Sequence, residues 1–569
     1  MAPKPKTAKA KAAKKKPAKT KSAKTKSAKT KPAKTKPAKL KPAKQKPTPA
    51  KPAKQRAAKV EPAAAVTAGR LIPPPGGAVI RMYRIGHGDC FLLAFEGKTA
   101  DRPAYVLVDC GYKPGSPAYI DHTSADEIVD DLRAATGGHL DVAVITHEHQ
   151  DHVNGISAKR FAGVTIGEAW FAWTEDPKDA IANQLREKHH DQLLGLLAAR
   201  RRLAAAGDAK VARRVEDLLA FELGGTGEVL GVAAVGDLSR RPNKRSMKVF
   251  KDKAKDRVRF LRPHHGVLAV PGAATARVFA LGPPRDPKLL ESLNPEEGED
   301  FHLGGRGLRS LGSYFAAAVK SRPRLTAAES PFADRYALPW KGARQDKTYG
   351  KFFTRHYGVK PKATAAPAAP YEVPPDAPWR RIDTDWLRAA EGLALDMNDY
   401  TNNSSLVLAF ELGKGGKVLL FAADAQRGSW VSWAKKSWKD GKQTVAAKDL
   451  LARTVLYKVG HHGSHNATLS GRSQDAHANL AWMGTAGQGG EFTAMITAVR
   501  AWAETQNGWD HPLKAIKDAL LVKCSGRVFQ TDTAFEAMKR PDGATPAEWS
   551  SFQHRTTGTR LYFDYVVEA

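Results

Sequence analysis

LDVAVITHEHQDH, residues 140–152, is the stretch that decides how this chain is read. Its first half, 140–146, is an apolar run of strand length, the pattern of a strand buried on both faces. The run leads straight into His147, His149, Asp151 and His152, an H-x-H-x-D-H cluster. Residues two apart on an extended backbone point to the same side, so His147 and His149 can share one metal ion. Asp151 and His152 begin the next turn and can aim at a neighbouring ion. Four ligand-type residues in six positions after a buried strand are poorly explained as solvated loop residues.

Upstream, alternating apolar runs at 78–86, 90–97 and 104–111 read as three strands, the last closing on Asp109. A helix is expected over 124–135, with an acidic first turn and Ile128, Val129 and Leu132 on one face. Strand, helix and strand, with a polar cluster at the carboxyl end of the last strand, is where a layered α/β fold places its site. Downstream, 176–221 has helical spacing, 257–270 and 276–284 read as strands, and 285–393 is proline-rich and irregular. Stretches of about 176–250 and 285–393 read as insertions into one core domain spanning 76–569. The core resumes as strands at 404–413, 417–424 and 454–464, a helix near 471–483, and strands at 493–499, 520–526 and 560–568.

The 569 residues carry a formal net charge of +33, but it is concentrated at one end. Residues 1–59 hold 23 of the 91 Lys and Arg and no acidic residue, which leaves an ordinary balance for the rest. The tail, residues 1–70, repeats AKTKS, AKTKP and variants with a period of five from residue 18 to 47. That period suits neither helix nor strand, and closely spaced like charges repel, so the tail is expected to be disordered. Residues 1–60 resemble the tails of linker histones and would bind nucleic acid or another polyanion by counterion release. Three cysteines in this length fit a reducing compartment, and no apolar run is long enough to span a bilayer. The expectation is a cytoplasmic chain without membrane insertion, nucleoid-associated through its tail. Nothing in the sequence sets an oligomeric state.

The H-x-H-x-D-H cluster with Asp109 resembles the metallo-β-lactamase fold superfamily, whose members are mostly hydrolases with one or two metals. RIGHGDCFLL (84–93), NNSSLVLAFELG (402–413), VLLFAAD (418–424), YKVGHHGS (457–464) and NGWDHP (507–512) follow in order. They resemble, more narrowly, the hydrolase domain at the C-terminal end of bacterial ComEC-type DNA-uptake channels, here without the channel. The resemblance implies an α/β fold, a four-layer αββα sandwich carrying the insertions. It also implies that His147 and His149 bind a first ion, that Asp151 and His152 bind a second, and that Asp424 bridges the two. One histidine of the pair His461 and His462 would complete the second site, and either is suitable. Asp109 would hold a ligand histidine in the correct tautomer, and His511 would be a pocket wall or proton donor, acting with Asp151 in catalysis.

Superfamily members usually supply a third histidine to the first ion, and here that region, 399–408, has none. Asn402 or Asn403 stands there, as in the ComEC-like group. An amide oxygen is a weaker and harder ligand, so one or two zinc ions are expected, with manganese an alternative in the first site.

The implied activity is metal-dependent hydrolysis, most naturally that of a phosphodiesterase or nuclease using metal-bound hydroxide. One alternative is a hydrolase of a small ester or phosphodiester whose tail serves only for localisation. Another is a nucleic-acid-binding scaffold with an inactive metal domain.

Overall fold

The computed structural model describes residues 69–99, 101–121, 123–205, 209–225, 241–296, 298–301, 345–348, 350–352, 389–487, 490–506 and 509–569. The expected disorder of the tail, and most of the 285–393 stretch, fall outside these residues.

Two mixed sheets organise the described chain. The first has eight strands, among them β1 (Ala78–Tyr83), β2 (Cys90–Thr99), β3 (Arg102–Cys110), β4 (His139–Ile145), β5 (Thr165–Ala172) and β6 (Val258–Leu261). β17 (Tyr562–Val567) and β16 (Thr556–Gly558) extend it beyond β1. Pairing is antiparallel from β16 to β3 and parallel from β3 to β6. The second sheet runs β15 (Val528–Gln530), β14 (Thr493–Ile496), β13 (Thr454–Lys458), β10 (Val418–Phe421), β9 (Val407–Glu411), β8 (Arg277–Gly282) and β7 (Leu268–Ala269). It too is antiparallel on one side, β7 to β10, and parallel on the other, β10 to β15.

Side-chain alternation stacks the layers. Ile80, Met82, Phe91, Leu93, Val106 and Val144 from the first sheet share one buried cluster with Leu408, Phe410, Leu419, Phe421 and Met495 from the second. Their neighbours one residue along, such as Leu92, Leu107 and Ala143, join the opposite face with helix α1 (Ala125–Thr136). That helix starts at a capping box between Ser124 and Glu127 and stops at Gly137, whose φ is 66°. Val407, Ala409, Val418 and Leu420 turn outward in the second sheet and meet Trp430, Trp433, Leu450, Ile516 and Leu520. Buried on both faces, these strands read as continuous apolar runs.

α3 (Ala180–Ala205), α4 (Ala209–Leu223) and α7 (Ala389–Asn403) form a separate apolar cluster through Leu196, Val215, Leu219, Leu393 and Met397. By α5 (Pro242–Ala254) the chain is back on the first sheet, through Met247 and Phe250.

Three local expectations fail. Residues 520–526 are not a strand: Ile516 and Leu520, four apart, form the buried side of a helix, Lys514–Lys523, whose Val522 is 82% exposed. The strand follows at Val528–Gln530. Around 471–483 there is only a short turn, Leu480–Trp482, because the Asn479 side chain accepts from Ala481 N and donates to the carbonyls of Arg472 and His477. The run 257–270 is two short strands, Val258–Leu261 and Leu268–Ala269, separated around Pro263. No helix of the described residues is long and apolar enough to cross a membrane.

Candidate metal centre

The carboxyl ends of β3, β4, β10, β13 and β14 deliver Asp109, His147, Asp424, His462 and Thr497 to one place. The turns that do so are tight. Of the six described non-glycine residues with positive φ, four are here: Asp109 (56°), Ala423 (49°), His461 (40°) and His462 (55°). The H-x-H-x-D-H turn also lies against glycine backbone. A Cβ on Gly111 would sit 2.5 Å from the backbone of Asp151 and His152, and one on Gly88 2.5 Å from the Asp151 carbonyl oxygen.

Asp151, His152, Asp424 and His462 are all buried and offer ligand atoms within 4.8 Å of one another. His462 Nε2 lies 3.1 Å from Asp151 Oδ2 and 3.5 Å from Asp424 Oδ2. His152 Nε2 is 3.1 Å from Asp424 Oδ2, yet neither atom has a hydrogen-bond partner, and Asp151 Oδ1 has none either. Buried polar atoms this close and still unpaired are oriented toward a shared point, as ligands of one ion are. The four residues could therefore hold a metal. His147 Nε2 and His149 Nδ1 face each other at 3.1 Å, and His147 Nε2 is 3.9 Å from Asp424 Oδ2.

Each of these four histidines is anchored through its other nitrogen. His152 Nδ1 meets Asp109 Oδ2 at 2.8 Å, and His462 Nδ1 meets the Thr497 carbonyl oxygen at 3.1 Å. His147 Nδ1 is 3.2 Å from both Thr146 Oγ1 and Ser405 Oγ. His149 Nε2 meets Glu222 Oε1 at 2.8 Å. Such partners fix ring orientation and tautomer.

The charges divide the cluster. Burial disfavours a charged His462, but Asp424 and the Asp151 hydrogen bond outweigh it and push its pKa up to about 9. His152 is likewise raised, against burial, by Asp424, Asp89 and Asp109. Asp151 and Asp424 stay well below the usual carboxylate range although burial opposes it; Lys113 leads the opposing effects at Asp151, and His152 at Asp424. Burial and its histidine neighbours keep His147 neutral. With no ion bound, protons on two imidazoles balance the charge of the two aspartates.

The other expected residues take distinct positions. His461 turns away from Asp151, to Asn402 Nδ2 at 3.1 Å from its Nε2, and burial lowers its pKa to about 3. Asn402 Oδ1 is buried without a partner. Asn403 is fully engaged elsewhere, donating to the carbonyls of Leu289 and Leu290 and accepting from Gln426 N. Half-buried His511 stacks on His87 at 5.5 Å, beside Trp509, and burial followed by the two neighbouring histidines holds it neutral.

Several residues at the centre carry no role in the sequence reading. Lys458 Nζ pairs with Asp89 and lies 3.4 Å from Asp424 Oδ1. Asp89 also accepts from Thr497 Oγ1 at 2.6 Å. Lys113 Nζ is 3.7 Å from Asp151 Oδ2, and burial brings it down to about 8. Asp89 was visible inside the H-G-D run at 87–89, but Glu222 lies in an arginine-rich helix with no local signal. A further buried group, Glu148, His189 and Glu222, could also gather round an ion. Glu148, however, is already paired with Arg241 and Lys244. No protein-family model matches the chain, and the comparison with curated proteins finds no match.

Proposed function

We propose that this chain is a metal-dependent hydrolase on the metallo-β-lactamase αββα sandwich, similar to the ComEC-type hydrolase domain and acting on nucleic-acid phosphodiesters. The observation that carries this reading is the set of four histidines, each anchored through one ring nitrogen while the other faces the aspartates or a neighbouring imidazole. Two mixed sheets stacked through one apolar core, with strand ends converging on that set, agree with it.

In this reading His147 Nε2 and His149 Nδ1 serve a first ion, Asp151, His152 and His462 a second, and Asp424 lies between them. A bound divalent ion, zinc or manganese, would lower the pKa of a water toward neutrality and offset charge on the reacting oxygens. Asp109 keeps His152 with its Nδ1 protonated, and Thr497 does the same for His462. Lys458 neutralises the far oxygen of Asp424, leaving Oδ2 toward the histidines. Lys113 has no hydrogen-bond partner within 3.5 Å among the described residues and supplies a cation beside Asp151 for an anionic substrate. His511, with Trp509 and His87, forms the wall. Residues 1–60 would hold the core near its polymer.

The test is to measure metal bound to the full-length chain and its cleavage of single- and double-stranded DNA, RNA and bis-p-nitrophenyl phosphate with zinc or manganese. A His149→Ala, Asp151→Ala double variant is the control. Metal uptake with no phosphodiester cleaved would refute the nuclease reading, and full activity in the double variant would refute the ligand assignment. Deleting residues 1–60 should remove most salt-dependent DNA affinity; an unchanged salt dependence would take the tail out of the reading.

A further inference from the structure

His149 is the one histidine of the centre whose anchor comes from outside the two sheets. Its partner, Glu222, sits in the last turn of α4, part of the helical stretch between β5 and α5. Glu222 is completely buried, and each of its oxygens is used: Oε1 meets His149 Nε2 at 2.8 Å, and Oε2 meets His189 Nε2 at 3.3 Å and Thr401 Oγ1 at 3.4 Å. His189 and Thr401 line a cavity of about 340 Å³ that His147 also borders, whereas Glu222 does not reach it. The carboxylate is therefore kept dry, where a hydrogen bond to an imidazole is strongest. The residue before it, Phe221, packs its ring on His149 at 4.1 Å and lies under the Lys113 ammonium group. One helical turn thus grips His149 from two sides. A carboxylate accepts only from a protonated nitrogen, so this contact places the ring hydrogen on Nε2 and leaves the Nδ1 lone pair facing His147.

We propose that the helical insertion is an integral part of the metal centre, with Glu222 as the positioning residue that holds His149 ready for the ion it shares with His147. The inference rests on the metal-dependent reading of the site. It also assigns a role to a stretch that sequence patterning marks only as inserted: with no third histidine at 399–408, the first ion depends more heavily on the orientation of the two it has.

The experiment compares the full-length wild type with Glu222→Gln, Glu222→Ala and Glu216→Ala. Glu216 pairs with Arg200 on the surface of the same helices and is a control for the insertion itself. Zinc and manganese bound per chain are measured by equilibrium dialysis against a graded chelator, with the absorption spectrum of the cobalt-loaded protein and a thermal melt alongside. Affinity for the weaker ion should fall roughly 10- to 100-fold in Glu222→Ala and about three- to tenfold in the isosteric Glu222→Gln. The cobalt bands should shift, while the tighter ion and Glu216→Ala remain at wild-type values. Either Glu222 variant, folded and binding both ions within twofold of wild type, would overturn the inference alone. A wild-type chain that takes up no ion would overturn the metal reading and this inference with it.

Discussion

Asp109→Asn should separate metal binding from folding. The Asp109 carboxylate accepts three hydrogen bonds: from Thr146 N at 2.8 Å, from Thr146 Oγ1 at 2.6 Å and from His152 Nδ1 at 2.8 Å. Asparagine has the same shape, and it tolerates the left-handed backbone at this position, φ 56°, at least as well as aspartate. Its Oδ1 can still accept from Thr146 N, and the threonine hydroxyl can rotate to accept from the new amide. His152 cannot adapt so easily, because its Nδ1 hydrogen would face an N–H donor. The ring must change tautomer, moving its hydrogen to Nε2, the atom 3.1 Å from Asp424 Oδ2. That arrangement suits the metal-free protein but blocks the lone pair an ion needs. Restoring the productive tautomer forfeits one hydrogen bond to a buried carboxylate, about 1.5–3 kcal/mol. At about 1.4 kcal/mol per decade, metal affinity should fall by roughly one to two orders of magnitude. Chelator competition measures that loss, and urea unfolding of the metal-free protein should show a stability change of only about 1 kcal/mol. An Asp109→Asn protein that is folded and binds metal within threefold of wild type would refute the tautomer argument.

Other substitutions probe the frame around the centre. Asn403→Ala leaves the Gln426 amide and the Leu289 and Leu290 carbonyls without their partner, and should cost about 2–4 kcal/mol in urea unfolding. Asn402→Ala should leave stability within about 1 kcal/mol, because its Oδ1 has no partner to lose. Arg81→Met strands Asp131 and Asp564, each 2.7 Å from the guanidinium, and should destabilise by about 3–5 kcal/mol in the same assay. Burial pushes the Asp399 carboxyl up to about 6, against the Gln426 hydrogen bond. Its folded pKa therefore lies above its unfolded value, and the stability it contributes at pH 4 is lost as pH rises through 6. Asp399→Asn should gain about 2–3 kcal/mol on wild type at pH 7 and nothing at pH 4, as paired urea midpoints would show.

Much of the frame was legible because its signals are local. The apolar alternation of 78–110 and 140–146, and the Ser124–Glu127 box before an amphipathic run, report on residues a few positions apart. The failures were local too. At 520–526 a short apolar run fits strand and helix equally, and only packing on the second sheet selects the helix. At 471–483 one asparagine side chain competes successfully with helical hydrogen bonds.

By itself, the sequence determined which chemistry is available. Histidines and aspartates at strand ends, spaced for one side of an extended backbone, announce a candidate metal centre wherever the strands are brought together. Only the tertiary structure decided which members meet. His462 rather than His461 faces Asp151, because consecutive left-handed residues after β13 swing adjacent side chains to opposite sides. Asn402 rather than Asn403 keeps a free oxygen, because Asn403 is consumed by backbone near α8 (Arg427–Trp433) and Leu289. Glu222 reaches His149 across 73 positions of chain, and His462 reaches Asp151 across 311. Contacts at such separations arise from the stacking of sheets and helices, and no local pattern records them.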